Sequence, residues 1–367
     1  MKRYRLFLSV LLLCAVLLSS CGVTGAPMKT KFTEYSLDWF DTVTTVTGYE
    51  HDRETFDAVC ARVFSALGEY HRLYTIYHRF DGMENLCTVN ELKDGAHRVV
   101  TVDRRVIDLL LYAKDMYTLT GGYMNIAMGA VLSVWHDYRT AGLDDPTSAS
   151  LPPEQLLADA AQHTSIDDLI IDEEASTVFL ADPEMTLDVG AIAKGYAVEM
   201  IAQMLEADGI TGYVLNVGGN VRTIGTKPDG APWIAGIENP DPTADGYAAY
   251  LALNRQTLPG QSVPDQSLPG QSLVTSGSYQ RFYTVNGKNY HHIIDADTLA
   301  PAVGFSSVSI VCRHSALADA LSTALFCMTA EEGLALMSSV PDAEALWITE
   351  DGTQFTTDGF ASYVTEP

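Results

Sequence analysis

Phe56, Val59, Val63, Leu67 and Tyr70 recur at three- and four-residue spacing, which predicts an amphipathic helix over 55–77. Val106, Leu109, Leu110, Ala113 and Tyr117 repeat the pattern over 106–118, and Gly121-Gly122 stops it. Ahead of the first helix, Val43-Thr44-Thr45-Val46-Thr47 is β-branched and reads as a strand. Further strand-like runs lie at 169–171, 177–180, 212–217, 233–237, 280–285, 290–294 and 307–311, with helices at 192–207 and 316–328. Strands come partly as neighbours and partly separated by helices. A single α+β domain over 33–367, a mixed β-sheet with packed helices, fits this order better than strict βαβ alternation.

The N-terminus has a different pattern. Lys2, Arg3 and Arg5 precede an apolar stretch, 6–18, that is short for a bilayer span of roughly 20 residues, so 1–20 reads as a signal peptide. It runs into Leu18-Ser19-Ser20-Cys21-Gly22, which resembles a bacterial lipobox with Cys21 as the lipidated residue and 21–32 as a tether. The expected location is the extracytoplasmic face of the cell membrane. Another unusual stretch, 256–273, repeats a Leu/Val-Pro-(Gly/Asp)-Gln-Ser unit with no apolar period and reads as a surface loop enlarged by duplication.

Charge narrows the function. Lys and Arg total 22 against 47 Asp and Glu, a formal net charge of −25 that repels a phosphate backbone, so no nucleic-acid partner is expected. An anionic substrate would need a cation or clustered N–H groups. Apart from Cys14 and Cys21, the cysteines are Cys60, Cys87, Cys312 and Cys327, whose pairing cannot be read from spacing; no Cys/His metal pattern occurs.

Four segments carry candidate chemistry. Asp188-Val-Gly-Ala-Ile-Ala-Lys194-Gly-Tyr places a tight turn at a helix start, compatible with an anion site or with a turn that packs two helices. Asn216-Val-Gly-Gly-Asn220 lets backbone approach a ligand closely. Asp319 and Thr323 stand four apart on one helix face and offer two hard oxygens, the kind Mg²⁺ takes together with phosphate and water. After a hairpin at Asn286-Gly287, His291 and His292 are adjacent on a strand; only one can face a given site, as base or as structural histidine.

Taken together, these segments, with Thr275-Ser-Gly-Ser-Tyr-Gln-Arg281, His291-His-Ile-Ile-Asp295 and Ala318-Asp-Ala-Leu-Ser-Thr-Ala-Leu325, resemble the ApbE-type FAD:protein FMN transferases from about Phe40 onward. The resemblance implies an ApbE-like fold, FAD as substrate, Mg²⁺ as cofactor, and transfer of FMN to a Thr or Ser hydroxyl of an acceptor flavoprotein with release of AMP. By motif, Asp319, Thr323 and the Ala191 carbonyl would hold the metal. Asp188, Lys194, Ile294 and Ala127-Met128-Gly129 would contact FAD, with Phe40 and Tyr77 near the flavin. His292 would be the catalytic base. Phe40-Asp41-Thr42 departs from the Met-Gly-Thr frequent in the family. The implied acceptor is a subunit of a membrane electron-transport complex. An FAD pyrophosphatase, or a flavin-binding lipoprotein without turnover, would use the same pocket.

Overall fold

The computed structural model describes residues 28–91, 99–241, 243, 246–254 and 270–367. The expected signal segment, Cys21 and most of the repeat stretch therefore lie outside the described residues. Among those described, no helix is long and apolar enough to cross a membrane.

The β-branched run after Thr42 does form a strand, and it sits near one edge of a large antiparallel sheet. In chain order the strands that matter for the site are β1 (Thr30–Ser36), β2 (Thr44–Glu50), β3 (Tyr213–Val217), β4 (Asn220–Ile224), β5 (Ser272–Gly277), β6 (Phe282–Val285), β7 (Lys288–His291), β8 (Phe305–Cys312), β9 (Glu344–Thr349) and β10 (Gln354–Thr356). The sheet is ordered β1-β2-β3-β4-β5-β8-β9-β10, and β6 with β7 forms a separate hairpin. The main helices are α1 (Arg53–Tyr74), α2 (Arg104–Leu119), α3 (Gly129–Asp144), α4 (Ala193–Ala207) and α5 (Ser315–Cys327).

Period-two alternation assigns the two faces of this sheet. Val274 on β5, Val308 and Ile310 on β8, and Trp347 on β9 enter the core under the helices. Their neighbours Leu273, Val311, Leu346 and Ile348 face the other way, against Trp233, Ile237, Leu251 and Leu253. Those residues belong to a small sheet formed by Trp233–Glu238, Tyr247–Leu253 and Val364–Thr365. One layer of helices and one small sheet thus cover opposite faces of the main sheet, and the α+β expectation holds.

Several boundaries differ from the sequence reading. Thr30–Phe32, assigned to the tether, belong to β1: Thr30 pairs with Glu50, and the Phe32 ring lies 5.5 Å from that of Phe56. Ser272 and Leu273, assigned to the repeat loop, are buried on β5, and Gln271 donates its N–H to Thr223 Oγ1 at 2.9 Å. The first helix ends at Tyr74, because Thr75 turns extended at ψ 136°, which puts Tyr77 on a loop. β7 ends at His291, and Ile294 makes only an isolated bridge to Pro301. The Asn286-Gly287 hairpin forms as expected, both residues taking positive φ. Cys60, Cys87, Cys312 and Cys327 are free thiols.

A buried ion pair fixes α4 against β4 and α5. Glu199 Oε2 lies 3.1 Å from Arg222 Nε and accepts the Ser315 N–H at 2.8 Å, capping the start of α5. Burial alone would raise the Glu199 carboxyl, yet the hydrogen bonds from His314 and Arg222 outweigh it and bring the pKa to about 2. The helices also touch where Gly195 meets Asp319: a Cβ at Gly195 would lie 2.4 Å from that of Asp319, so only glycine allows this approach.

Candidate active site

Between the start of α4, the end of β5, the face of α5 and the β6–β7 hairpin lies a cleft of about 360 Å³. The sequence motifs converge on it. Asp188, Ala191 and Lys194 line one wall, Asp319 and Thr323 the floor, and His291, His292 and Ile294 the hairpin side. Tyr77 and Met128 also line it. A smaller cavity of about 130 Å³ adjoins it, shares Tyr77, Asp188 and Lys194, and is the one that Phe40 lines.

The start of α4 is capped by a side chain from α5. Gly195 is the third residue of α4, so its N–H has no acceptor within the helix; it donates to Asp319 Oδ2 at 2.8 Å. Ala191 lies just ahead of the helix, whose first backbone bond runs from the Tyr196 N–H to the Ile192 carbonyl, and it borders the cleft. Asp319 is 4% exposed, and its Oδ1 stands 4.0 Å from Lys194 Nζ, outside hydrogen-bond range. Burial pushes the Asp319 carboxyl pKa up, against the opposing influence of Lys194, the Gly195 N–H and Asn220.

These groups meet the requirements of a hard divalent cation. A buried carboxylate, the Thr323 hydroxyl and the backbone carbonyl of Ala191 offer an all-oxygen set lining one cleft, and the buried Asn220 Oδ1, which lines it too, has no hydrogen-bond partner. An unsatisfied buried acceptor costs about 1–3 kcal/mol, so the set is incomplete as protein alone. Among the described residues no cluster of three or more His, Cys, Asp or Glu side chains could bind a metal by itself, which leaves room for substrate oxygens and water.

The two histidines differ in their bonding. His291 Nε2 is 2.9 Å from the Ala302 carbonyl, and its Nδ1 accepts the Ile293 N–H at 3.3 Å, so both ring nitrogens are engaged. His292 Nδ1 faces the Arg281 carbonyl at 3.2 Å. A carbonyl only accepts, so the proton sits on Nδ1 and the Nε2 lone pair is left for another proton. Burial, reinforced by the Arg281 and Arg139 charges, lowers the His292 pKa from 6.5 to about 3. At a pH above the ordinary histidine value of about 6.5, ¹⁵N NMR of the metal-free protein should show His292 neutral with its proton on Nδ1 and His291 neutral with its proton on Nε2. Finding the same tautomer in both rings would contradict this arrangement.

Two expected contacts do not reach the cleft. Ala127 is fully buried in the core, and Gly129 packs where a Cβ would lie 2.4 Å from the Thr186 carbonyl oxygen. Of that tripeptide only Met128 lines the cleft, because the turn starting at Asn125, whose Oδ1 accepts the Ala127 N–H at 2.9 Å, aims its neighbours inward. Conversely, Trp135, His136 and Arg139 of α3 line the cleft and were not singled out by sequence, since that helix shows no single apolar stripe. Asp41 also borders both cavities; at φ 50° it holds a left-handed conformation that glycine takes without strain.

The sequence pattern of the ApbE family matches residues 40–347, a range that includes every one of these cleft residues. The chain belongs to the ApbE family. It is 30% identical over 305 residues to an FAD:protein FMN transferase of Klebsiella pneumoniae, covering 83% of this chain and 84% of that one. It is 33% identical over 266 residues to an FAD:protein FMN transferase of Treponema pallidum, covering 69% and 67%. The crystal structure of the ApbE protein of Thermotoga maritima superposes with a TM-score of 0.74 at 24% identity, covering 92% of this chain and all of that one. The Pseudomonas stutzeri flavinyl transferase ApbE gives 0.72 at 21%, covering 93% and 98%. At these identities the structural likeness speaks for the fold alone, and the ApbE family fold is the one expected from sequence.

Proposed function

We propose that this ApbE-family enzyme transfers FMN from FAD to a Thr or Ser hydroxyl of an acceptor protein, with AMP as leaving group and Mg²⁺ as cofactor. The observation that supports it most is the free Nε2 of His292 in the same cleft as the Asp319 oxygen set. In this reading the acceptor oxygen bonds to the flavin-side phosphorus while the bond from that phosphorus to the bridging oxygen breaks. AMP departs with the bridging oxygen, and the hydroxyl proton passes to His292 Nε2. Mg²⁺, bound by Asp319, Thr323 and the Ala191 carbonyl, would offset charge on the phosphoryl oxygens. Lys194 and Asp188 would contact FAD, with Tyr77, Met128 and Ile294 bordering it and Phe40 in the adjoining cavity. The Arg281 carbonyl holds the imidazole in its proton-accepting tautomer.

The test is incubation with FAD, Mg²⁺ and a candidate membrane electron-transport subunit, followed by in-gel flavin fluorescence. Covalent fluorescence on the acceptor is expected. Release of FMN and AMP with no labelled acceptor would instead favour an FAD pyrophosphatase. FAD binding without AMP release would reduce the chain to a flavin-binding lipoprotein.

The proposal extends to location: a lipid anchor at Cys21 would hold the domain on the extracytoplasmic face, beside acceptors in the membrane. Its support is the basic, apolar and small-residue order of the N-terminus. Cys21→Ser should move the protein from the membrane fraction to the soluble fraction. Retention in the membrane would remove the anchor from the reading.

A further inference from the structure

Asn220 opens β4 directly after the Gly218-Gly219 turn, whose residues both take positive φ (55° and 88°). That turn delivers the Asn220 side chain to the cleft, where it is 2% exposed. Its side chain stands against the Asp319 carboxylate and favours the charged form. A carboxylate only accepts, so the amide nitrogen faces Asp319 and the amide oxygen is turned away from it. That oxygen is buried and has no donor.

A buried acceptor of this kind needs a proton donor or a cation. Asp319 Oδ1 stands 4.0 Å from Lys194 Nζ, too far for a hydrogen bond to it. An amide oxygen is an ordinary ligand for a hard divalent cation. We infer that Asn220 Oδ1 is a further protein ligand of the divalent cation at Asp319, Thr323 and the Ala191 carbonyl. Its amide nitrogen meanwhile keeps the Asp319 carboxylate turned toward the same ion. The inference rests on the proposed cation site.

The test is Mn²⁺ binding to the full chain, read as loss of the free-ion EPR signal, with and without FAD. The variants are Asn220→Ala and Asn220→Asp. Asn220→Ala should weaken Mn²⁺ binding by about tenfold or more. Asn220→Asp replaces the amide oxygen by a carboxylate oxygen, so it should bind Mn²⁺ at least as tightly as the parent chain. Without metal it should melt at a lower temperature than the parent, because two carboxylates then face each other, and Mn²⁺ should recover the difference.

Folded Asn220→Ala with unchanged Mn²⁺ affinity would overturn the inference. If Asn220→Ala does not fold, Asn220→Asp decides: weakened Mn²⁺ binding in a folded protein would mean that Asn220 only positions Asp319. Failure of the parent chain to bind Mn²⁺ under either condition would remove the cation site itself, and the assignment of Asn220 with it.

Discussion

Asp319→Asn should lose at least roughly 10²–10³-fold in Mg²⁺-dependent turnover, the range for deleting a principal stabiliser of developing charge, while the metal-free protein keeps its melting temperature or gains slightly. The two effects part because one carboxylate serves opposing ends. Its folded pKa lies above the ordinary 3.8, so ionisation inside the protein is unfavourable. Stability from this group is therefore lowest at neutral pH and recovers as pH falls through the folded value. The amide is isosteric, keeps an oxygen for the Gly195 N–H, and removes the buried charge. Removing the charge also gives up the 4.0 Å attraction to Lys194, so only a small net gain is expected. Turnover in a Mg²⁺ titration and a melt in chelator measure the two separately. Full activity at saturating Mg²⁺ would end the assignment of Asp319 as a metal ligand.

For His292→Asn the expected result is a loss of transfer of roughly 10²–10⁴-fold, or about 3–5 kcal/mol in the barrier, as for removal of a general base. FAD affinity should change little, since the ring is held by the Arg281 carbonyl and is assigned to the proton of the acceptor, not to holding FAD. His291→Asn should do the reverse. Its ring bridges the Ala302 carbonyl and the Ile293 N–H and meets Phe326 edge-on at 5.6 Å, so its loss should lower the melting temperature more than the rate. Single-turnover transfer with FAD pre-bound separates the outcomes. A large rate loss confined to His291→Asn would assign the base to the wrong residue of the pair.

Residues that act through local spacing were the legible part of this site. Asp319 and Thr323 on one turn of α5, and the alternation of His291 and His292 along a hairpin, follow from helical and strand periods alone. Contacts set by packing were not legible. α3 was missed because Leu132 and Trp135 line the cleft together with His136 and Arg139 while Val131 packs into the core, so polar and apolar positions are not sorted to two sides. Ala127 and Gly129 sit in a motif whose turn exposes only its middle residue, and no spacing rule distinguishes the three. Asn220 was visible in sequence only as the end of a glycine turn; its orphaned oxygen exists only once α5 has brought Asp319 beside it. The helix running on to Tyr77 failed because Tyr74 and Tyr77 keep the helical interval although the backbone has already turned extended at Thr75.

The two ends of the interval 255–269 are tied to each other. Asn254 donates its N–H to Gln271 Oε1, and Gln271 in turn bonds Thr223 on β4. Asn254 and Gln271 thus meet at one clasp beside β4, which ties the strand ending at Leu253 to the start of β5. For protein engineering this is a natural port: a fluorophore tag or an affinity peptide grafted there would ride on the clasp. β5, which starts beside it, runs on to Ser276, whose Oγ lies 3.4 Å from Thr323 Oγ1. A reporter at that port would thus be rooted on the same strand that ends at the cleft, and would register loading of the cleft without touching a residue that lines it.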